Sequence, residues 1–195
     1  MNRLELAWET PQTWVERVAE EPLALLSDHA RCEEQAAAVA RMLASKHPER
    51  RRLVDELADV EREETEHYER VRALLRARGS DVGPHRRSPY ADGLLAGARR
   101  GRRNDLLDRL LVCGLIEARS LERFRLLSRG LPDEELCELY RSLLASEAGH
   151  QVLFCELASE LAPEPEVVER ARELAAVEAE VMAGLAFDYR MHSGV

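Results

Sequence analysis

Four glutamates stand where a helix needs apolar side chains, and this placement restricts the chain more than any other feature. At 100° per residue, Leu53, Leu57, Val60, Glu64, His67 and Val71 share one stripe. Leu136, Leu139, Leu143, Glu147, His150 and Phe154 share another. In each stripe a Glu takes the place of the next apolar residue. A His follows three residues later, on the same face and one turn on. A third stripe, Leu26, His29, Glu33, Ala36 and Ala40, includes Glu33, whereas Glu34 points about 100° away. A fourth, Leu106, Leu110, Cys113, Glu117, Leu121 and Phe124, has Glu117 at its centre. Burial of a bare carboxylate is strongly unfavourable unless it is paired or bound to metal. Four such violations need a common cause.

The order along the chain supplies it. Glu33 and Glu64 are 31 residues apart, and Glu117 and Glu147 are 30 apart, so the chain carries two copies of one helix-pair plan. A Glu from each of two helices plus Glu-x-x-His from each of the other two is the ligand set of dinuclear carboxylate bundles. Glu33, Glu64, His67, Glu117, Glu147 and His150 are therefore the expected metal ligands. Four carboxylates balance the charge of two divalent cations, and iron suits oxygen chemistry better than manganese. One Glu-x-x-His pair alone would mean little, and "EREETEHYER" also reads as a solvated acidic face. The repetition on core stripes is what carries the assignment.

The rest of the chain agrees with an all-α protein. Leu, Ala, Glu and Arg dominate, and aromatic residues make up only 5%, which favours helices over strands. Helices are predicted at Leu23–Lys46, Glu49–Arg78, Tyr90–Arg100, Asn104–Ser128, Asp133–Leu161 and Pro165–Arg190, with "MHSGV" as a closing tail. The expected architecture is a four-helix bundle with a long connection, 79–103, between its second and third core helices and an extra C-terminal helix. The 195 residues suffice for a single domain over 1–195. "MNRLELAWETP" has no apolar core of a secretory signal, and no apolar run reaches the length of a membrane span. Cys32, Cys113, Cys137 and Cys155 show no CxxC spacing and read as buried free thiols, consistent with a reducing cytoplasm.

The net charge of −9 excludes a generally basic coat but not a local patch. Arg86, Arg87, Arg99, Arg100, Arg102 and Arg103 cluster in the long connection, with "ERRR" at 49–52 a weaker group. Such arginines contact nucleic-acid phosphates or form a solvated loop. Gly114 and Gly149, beside the acids, leave room for a substrate or serve helix packing. His29 reads as a hydrogen-bonded core histidine. Glu178, on the stripe of Leu174, Val181 and Leu185, supports a metal-bound His or pairs with an Arg. Trp8 and Trp14 are expected to anchor the N-terminal segment, and His192 to be exposed.

The motifs "LLSDHARCEEQAA" at 25–37, "EREETEHYERV" at 61–71, "LLVCGLIEARSLERFRLL" at 110–127, "YRSLLASEAGH" at 140–150 and "VEAEVMAGLAFDYRMHSGV" at 177–195 resemble those of the MiaE-type tRNA hydroxylases of the ferritin-like superfamily. The resemblance implies a ferritin-like bundle and the same six ligands. It implies two iron ions, molecular oxygen as co-substrate and an external electron donor delivered by a reductase. The implied reaction is hydroxylation of the isopentenyl group of 2-methylthio-isopentenyladenosine, next to the anticodon. The tRNA anticodon stem-loop is then a partner, and no membrane is involved. Two other readings remain: a di-iron oxidoreductase acting on a small molecule, and a non-catalytic iron-binding protein.

Overall fold

The computed structural model describes residues 3–195, with the side chains of residues 102–104 outside that description. Every regular element among the described residues is an α-helix. They are α1 (Gln12–Val18), α2 (Pro22–Lys46), α3 (Arg51–Ala77), α4 (Pro89–Ala96), α5 (Arg102–Gly130), α6 (Glu134–Ser159) and α7 (Glu164–Gly184). The helix starts follow from local chemistry. Pro22 opens α2, where its missing N–H costs nothing. Ser88 caps α4 by accepting from the Ala91 N–H, and Asp133 caps α6 by accepting from the Leu136 N–H. Glu134 and Glu135 add negative charge at the positive end of α6. None of the described helices is long and apolar enough to cross a membrane.

The chain divides into two compact units. One comprises Arg17–Arg87 and Tyr189–Met191 and is built on the helix pair α2 and α3. The buried residues of α3 are Leu53, Leu57, Val60, Glu64, His67, Val71 and Leu75, the predicted stripe extended by one turn. On α2, Glu33 is buried and Glu34 exposed, as the wheel requires, although Ala37 takes the buried position expected for Ala36.

The other unit comprises Met1–Glu16, Ser88–Asp188 and His192–Val195. Here α5 is central, with α4, α6 and α7 packed against it. It is buried nearly all round, the mark of a helix enclosed by its neighbours. Gly93 and Gly97 let α4 lie close to α7, since an added Cβ would come within 2.7 Å of Val181 and 2.9 Å of Val177.

Two charged networks line the face of α5 turned away from Glu117. Arg119 is fully buried and forks onto both Glu178 oxygens at 2.9 Å, while the Tyr90 hydroxyl donates to the same carboxylate at 3.0 Å. Glu178 is thus the partner of an arginine, one of its two expected roles. Arg119 also donates to the Trp8 carbonyl at 2.8 Å and to Glu122 at 2.6 Å. Arg123 lies 4.2 Å over the Trp14 ring and donates to the Ser193 carbonyl at 2.8 Å. Burial and the like charge of Arg119 pull Arg123 down to about 9. Both tryptophans hold the N-terminal segment, as expected. In the second network Asp108 accepts from Arg170 at 2.7 Å and from Arg99 at 2.9 Å. Burial alone would raise this carboxyl, but the bonds from Arg170 and Arg99 outweigh it and hold it below its ordinary range.

Some expectations are corrected. Helix α1 carries the buried Trp14, Val15 and Val18 but is too short to show a period in the sequence. Helix α7 stops at Gly184, not near Arg190. The chain then turns back, and the Gly194 N–H reaches the Ala186 carbonyl at 3.0 Å. Only glycine fits there, since a Cβ would lie 1.8 Å from the Leu185 carbonyl oxygen. His192 is therefore not exposed. Its ring stacks on Tyr90 at 4.7 Å and bonds to Ser120 at 3.2 Å. All four cysteines are free thiols, but Cys32 and Cys113 are only half-buried.

Removing Glu178 should strand the Arg119 charge in the interior. Glu178→Ala is expected to cost roughly 3–5 kcal/mol in denaturant unfolding. The double change Arg119→Met/Glu178→Leu should recover much of that loss, because it removes both charges together.

Candidate metal centre

Each helix pair carries one buried acid–imidazole triad. In the α2–α3 unit, Glu33, Glu64 and His67 are all buried, with one ligand atom from each within 4.8 Å of the others. His67 Nδ1 lies 3.3 Å from Glu64 Oε2 and 4.0 Å from Glu33 Oε2. The three-residue step from Glu64 to His67 places both on the inner face of α3, and Glu33 meets them from α2.

His29, one turn before Glu33, is fully buried, and its Nε2 faces Glu33 Oε1 at 2.5 Å. Burial, and next the neighbouring His67, lower its pKa to about 3. A carboxylate oxygen only accepts, so the neutral ring carries its proton on Nε2 and donates it to Glu33. This is the hydrogen-bonded core histidine expected from the sequence, and it fixes the direction of the Glu33 carboxylate.

The other unit repeats the arrangement. Glu117 on α5 and Glu147 and His150 on α6 are buried, and one ligand atom from each again lies within 4.8 Å of the others. Cys113 sits one turn before Glu117. Burial, and then the Glu117 charge, push its thiol up to about 12, so it remains protonated at neutral pH. Gly114 serves packing, since a Cβ there would come within 2.6 Å of Leu4, whereas Gly149 is exposed and a Cβ would meet nothing within 4 Å. Each triad offers two carboxylates and one imidazole in a buried setting, a donor set that suits a divalent transition metal.

Comparison with known proteins decides the family. Residues 2–193 match the family model for tRNA-(MS[2]IO[6]A)-hydroxylase, MiaE. The chain is 35% identical over 190 residues to a Pseudomonas putida protein named tRNA 2-(methylsulfanyl)-N(6)-isopentenyladenosine(37) hydroxylase, covering 97% of this chain and 92% of that one. The chain belongs to the MiaE tRNA-hydroxylase family. A second MiaE relative of the same name, from Salmonella typhimurium, is 37% identical over 145 residues, which span 74% of this chain and 53% of the relative. A solved Synechococcus structure, titled protein 43 with aldehyde deformylating oxygenase activity, superposes with a TM-score of 0.93 at 40% identity, covering 97% of this chain and 96% of that one. The fold is all-α and ferritin-like: two long helix pairs, a long connection between the second and third of these helices, and an additional C-terminal helix.

The arginines of the MiaE chain's connection do not form one group. Arg86, Arg87 and Arg100 are exposed. Arg99 is held by Asp108, so its guanidinium helps to fix the start of α5. Arg102 and Arg103 open α5, and their side chains lie outside the described residues. Sequence reasoning missed Asp108, Arg119 and Arg123, although their charges lie among the apolar residues of α5 and gave a readable signal.

Without cations the carboxylates of each triad repel one another. Glu147→Gln is therefore expected to leave the metal-free protein at least as stable as wild type in thermal unfolding. Ferrous ion added without oxygen should raise the wild-type melting temperature and have much less effect on this variant.

Proposed function

We propose that Glu33, Glu64, His67, Glu117, Glu147 and His150 together hold two iron ions, and that the protein hydroxylates the isopentenyl group of 2-methylthio-isopentenyladenosine beside the tRNA anticodon. The observation that carries this reading is the pair of matching buried triads in a chain of the MiaE family. Two triads provide four carboxylates and two imidazoles, which balance two divalent ions and match the dinuclear carboxylate ligand set. When bound, the irons supply oxygen activation and attack on an unactivated C–H bond, chemistry that no protein side chain performs.

The chain's own groups do the remaining work. Long helices hold each Glu-x-x-His pair in fixed register, and burial keeps bulk water from the donors. His29 aims Glu33 by its hydrogen bond. The substrate base lies in a single-stranded loop, where extrusion costs little. Exposed Arg86, Arg87 and Arg100 supply phosphate contacts that position the tRNA without reading its bases, and Arg102 and Arg103 extend this basic segment. The whole chain, 1–195, acts as one hydroxylase domain in the cytoplasm. Electrons come from a separate reductase.

A second reading is favoured by the Synechococcus structure, whose title names aldehyde deformylating oxygenase activity. It keeps the metal centre and replaces the tRNA with a small molecule. Nucleoside analysis of tRNA separates the two. Cells lacking the protein should lose the hydroxylated nucleoside and accumulate its unhydroxylated precursor. Wild-type protein should restore it, whereas Glu117→Ala and His150→Ala should not, while circular dichroism shows both variants still helical. Unchanged tRNA in the deletion strain would leave the small-molecule reading standing, and activity in either variant would refute the ligand assignment.

A further inference from the structure

The segment Gly83–Arg87, within the connection, is fastened to α2 directly at its start and through Arg190 at its end. At its start the Gly83 N–H donates to Ser27 Oγ at 2.8 Å, and the Gly83 carbonyl accepts from Arg31 Nε at 2.8 Å and from Arg31 Nη2. At its end the Arg87 carbonyl accepts from Arg190 Nη1 at 3.1 Å. Arg190 is itself fixed, since its Nε donates to Asp28 Oδ1 at 2.8 Å. The Met191 N–H holds the other Asp28 oxygen at 2.8 Å. Before the segment, Asp81 is paired with Arg76 at 3.1 Å and with Arg72 at 3.7 Å. Pro84, His85, Arg86 and Arg87 are exposed between these fastenings.

We infer that Gly83–Arg87 is a pre-organised phosphate-docking loop for the tRNA, and that Asp28 and Arg190 are positioning residues that hold it in shape. This rests on the tRNA-hydroxylase reading above. The physical argument is entropic. Two arginines on a loose loop would lose backbone and side-chain freedom when they met phosphates. Here the backbone is already fixed at Gly83 and Arg87, so less freedom remains to be lost. The anchors Ser27, Asp28 and Arg31 lie on the stretch of α2 that includes His29 and leads into Glu33. A tRNA phosphate held by Arg86 or Arg87 would therefore be set at a fixed position relative to the Glu33 triad. A surface loop with no such role has no need for four side chains and a folded-back C-terminal segment to hold its main chain.

The test uses full-length protein and unmodified tRNA. Arg86→Gln/Arg87→Gln should weaken binding about tenfold and reduce the salt slope by roughly 1–2 units, the amount expected for two lost phosphate contacts. Arg190→Lys keeps the charge but cannot reach Asp28 and the Arg87 carbonyl with one planar fork. It should weaken binding severalfold and speed trypsin cleavage after Arg86 and Arg87 in the native protein. Asp28→Ala removes a negative charge, which by charge alone would tighten tRNA binding, whereas loss of the anchor should weaken it. Thermal unfolding and ferrous-ion binding report whether each variant keeps the fold and the metal site, and Arg190→Lys stands if Asp28→Ala does not fold. Wild-type tRNA affinity with an unchanged salt slope in the arginine double variant would overturn the docking loop and leave the hydroxylase reading intact. Tighter binding by Asp28→Ala, or wild-type binding and trypsin resistance in Arg190→Lys, would overturn the positioning roles. A wild-type protein with no affinity for tRNA would remove this inference together with the function on which it rests.

Discussion

Burial of four carboxylates, two in each helix pair, is the condition around which this chain is organised. Glu33, Glu64, Glu117 and Glu147 are each nearly inaccessible to water, and each lies in a buried group with a histidine. An ordinary core would replace such residues, because desolvating them is costly and each repels its neighbours. Bound divalent cations would reverse that balance by neutralising the carboxylates. Each helix pair is a frame that keeps its own two acids close against their repulsion.

The buried charges elsewhere are matched by opposite charge. Arg119 meets Glu178, and Asp108 meets Arg170 and Arg99, each as a closed pair or network with short bonds. These networks satisfy themselves and need no ligand. They lie on α5, whose Glu117 side is two residues and about 200° removed from Arg119. One helix thus separates the face that carries Glu117 from a self-compensated structural face. The second face also gathers the chain ends: Trp8, Trp14, Tyr90, Ser193 and His192 all meet Arg119, Arg123, Ser120 or one another. The C-terminal tail is therefore part of the folded structure.

Much of the fold was legible because its strongest signals are periodic. Long helices repeat their apolar stripe many times, and a carboxylate on such a stripe is conspicuous. The α3 stripe was read without error, and the exposure of Glu34 beside the buried Glu33 followed from a 100° rotation. Short or aperiodic pieces were not legible. Helix α1 offers barely two turns, and the tail after Gly184 has no period at all. The arginines of the connection also looked alike in sequence, yet Arg99 is bound inward to Asp108 while Arg86, Arg87 and Arg100 face water.

By itself, the sequence determined the helical class, the two-copy plan and the identity of the six candidate ligands. The reason is that helix geometry is local: spacing along the chain fixes which side chains share a face. Tertiary structure decided which charged and polar groups meet. Whether Glu178 meets an arginine or a histidine, whether His192 faces water or stacks on Tyr90, and whether Asp28 is a surface acid or the anchor of a loop all depend on contacts between segments far apart in the chain. No local period encodes such contacts. They are set by close packing, which brings a buried donor to an acceptor only after the helices have assembled.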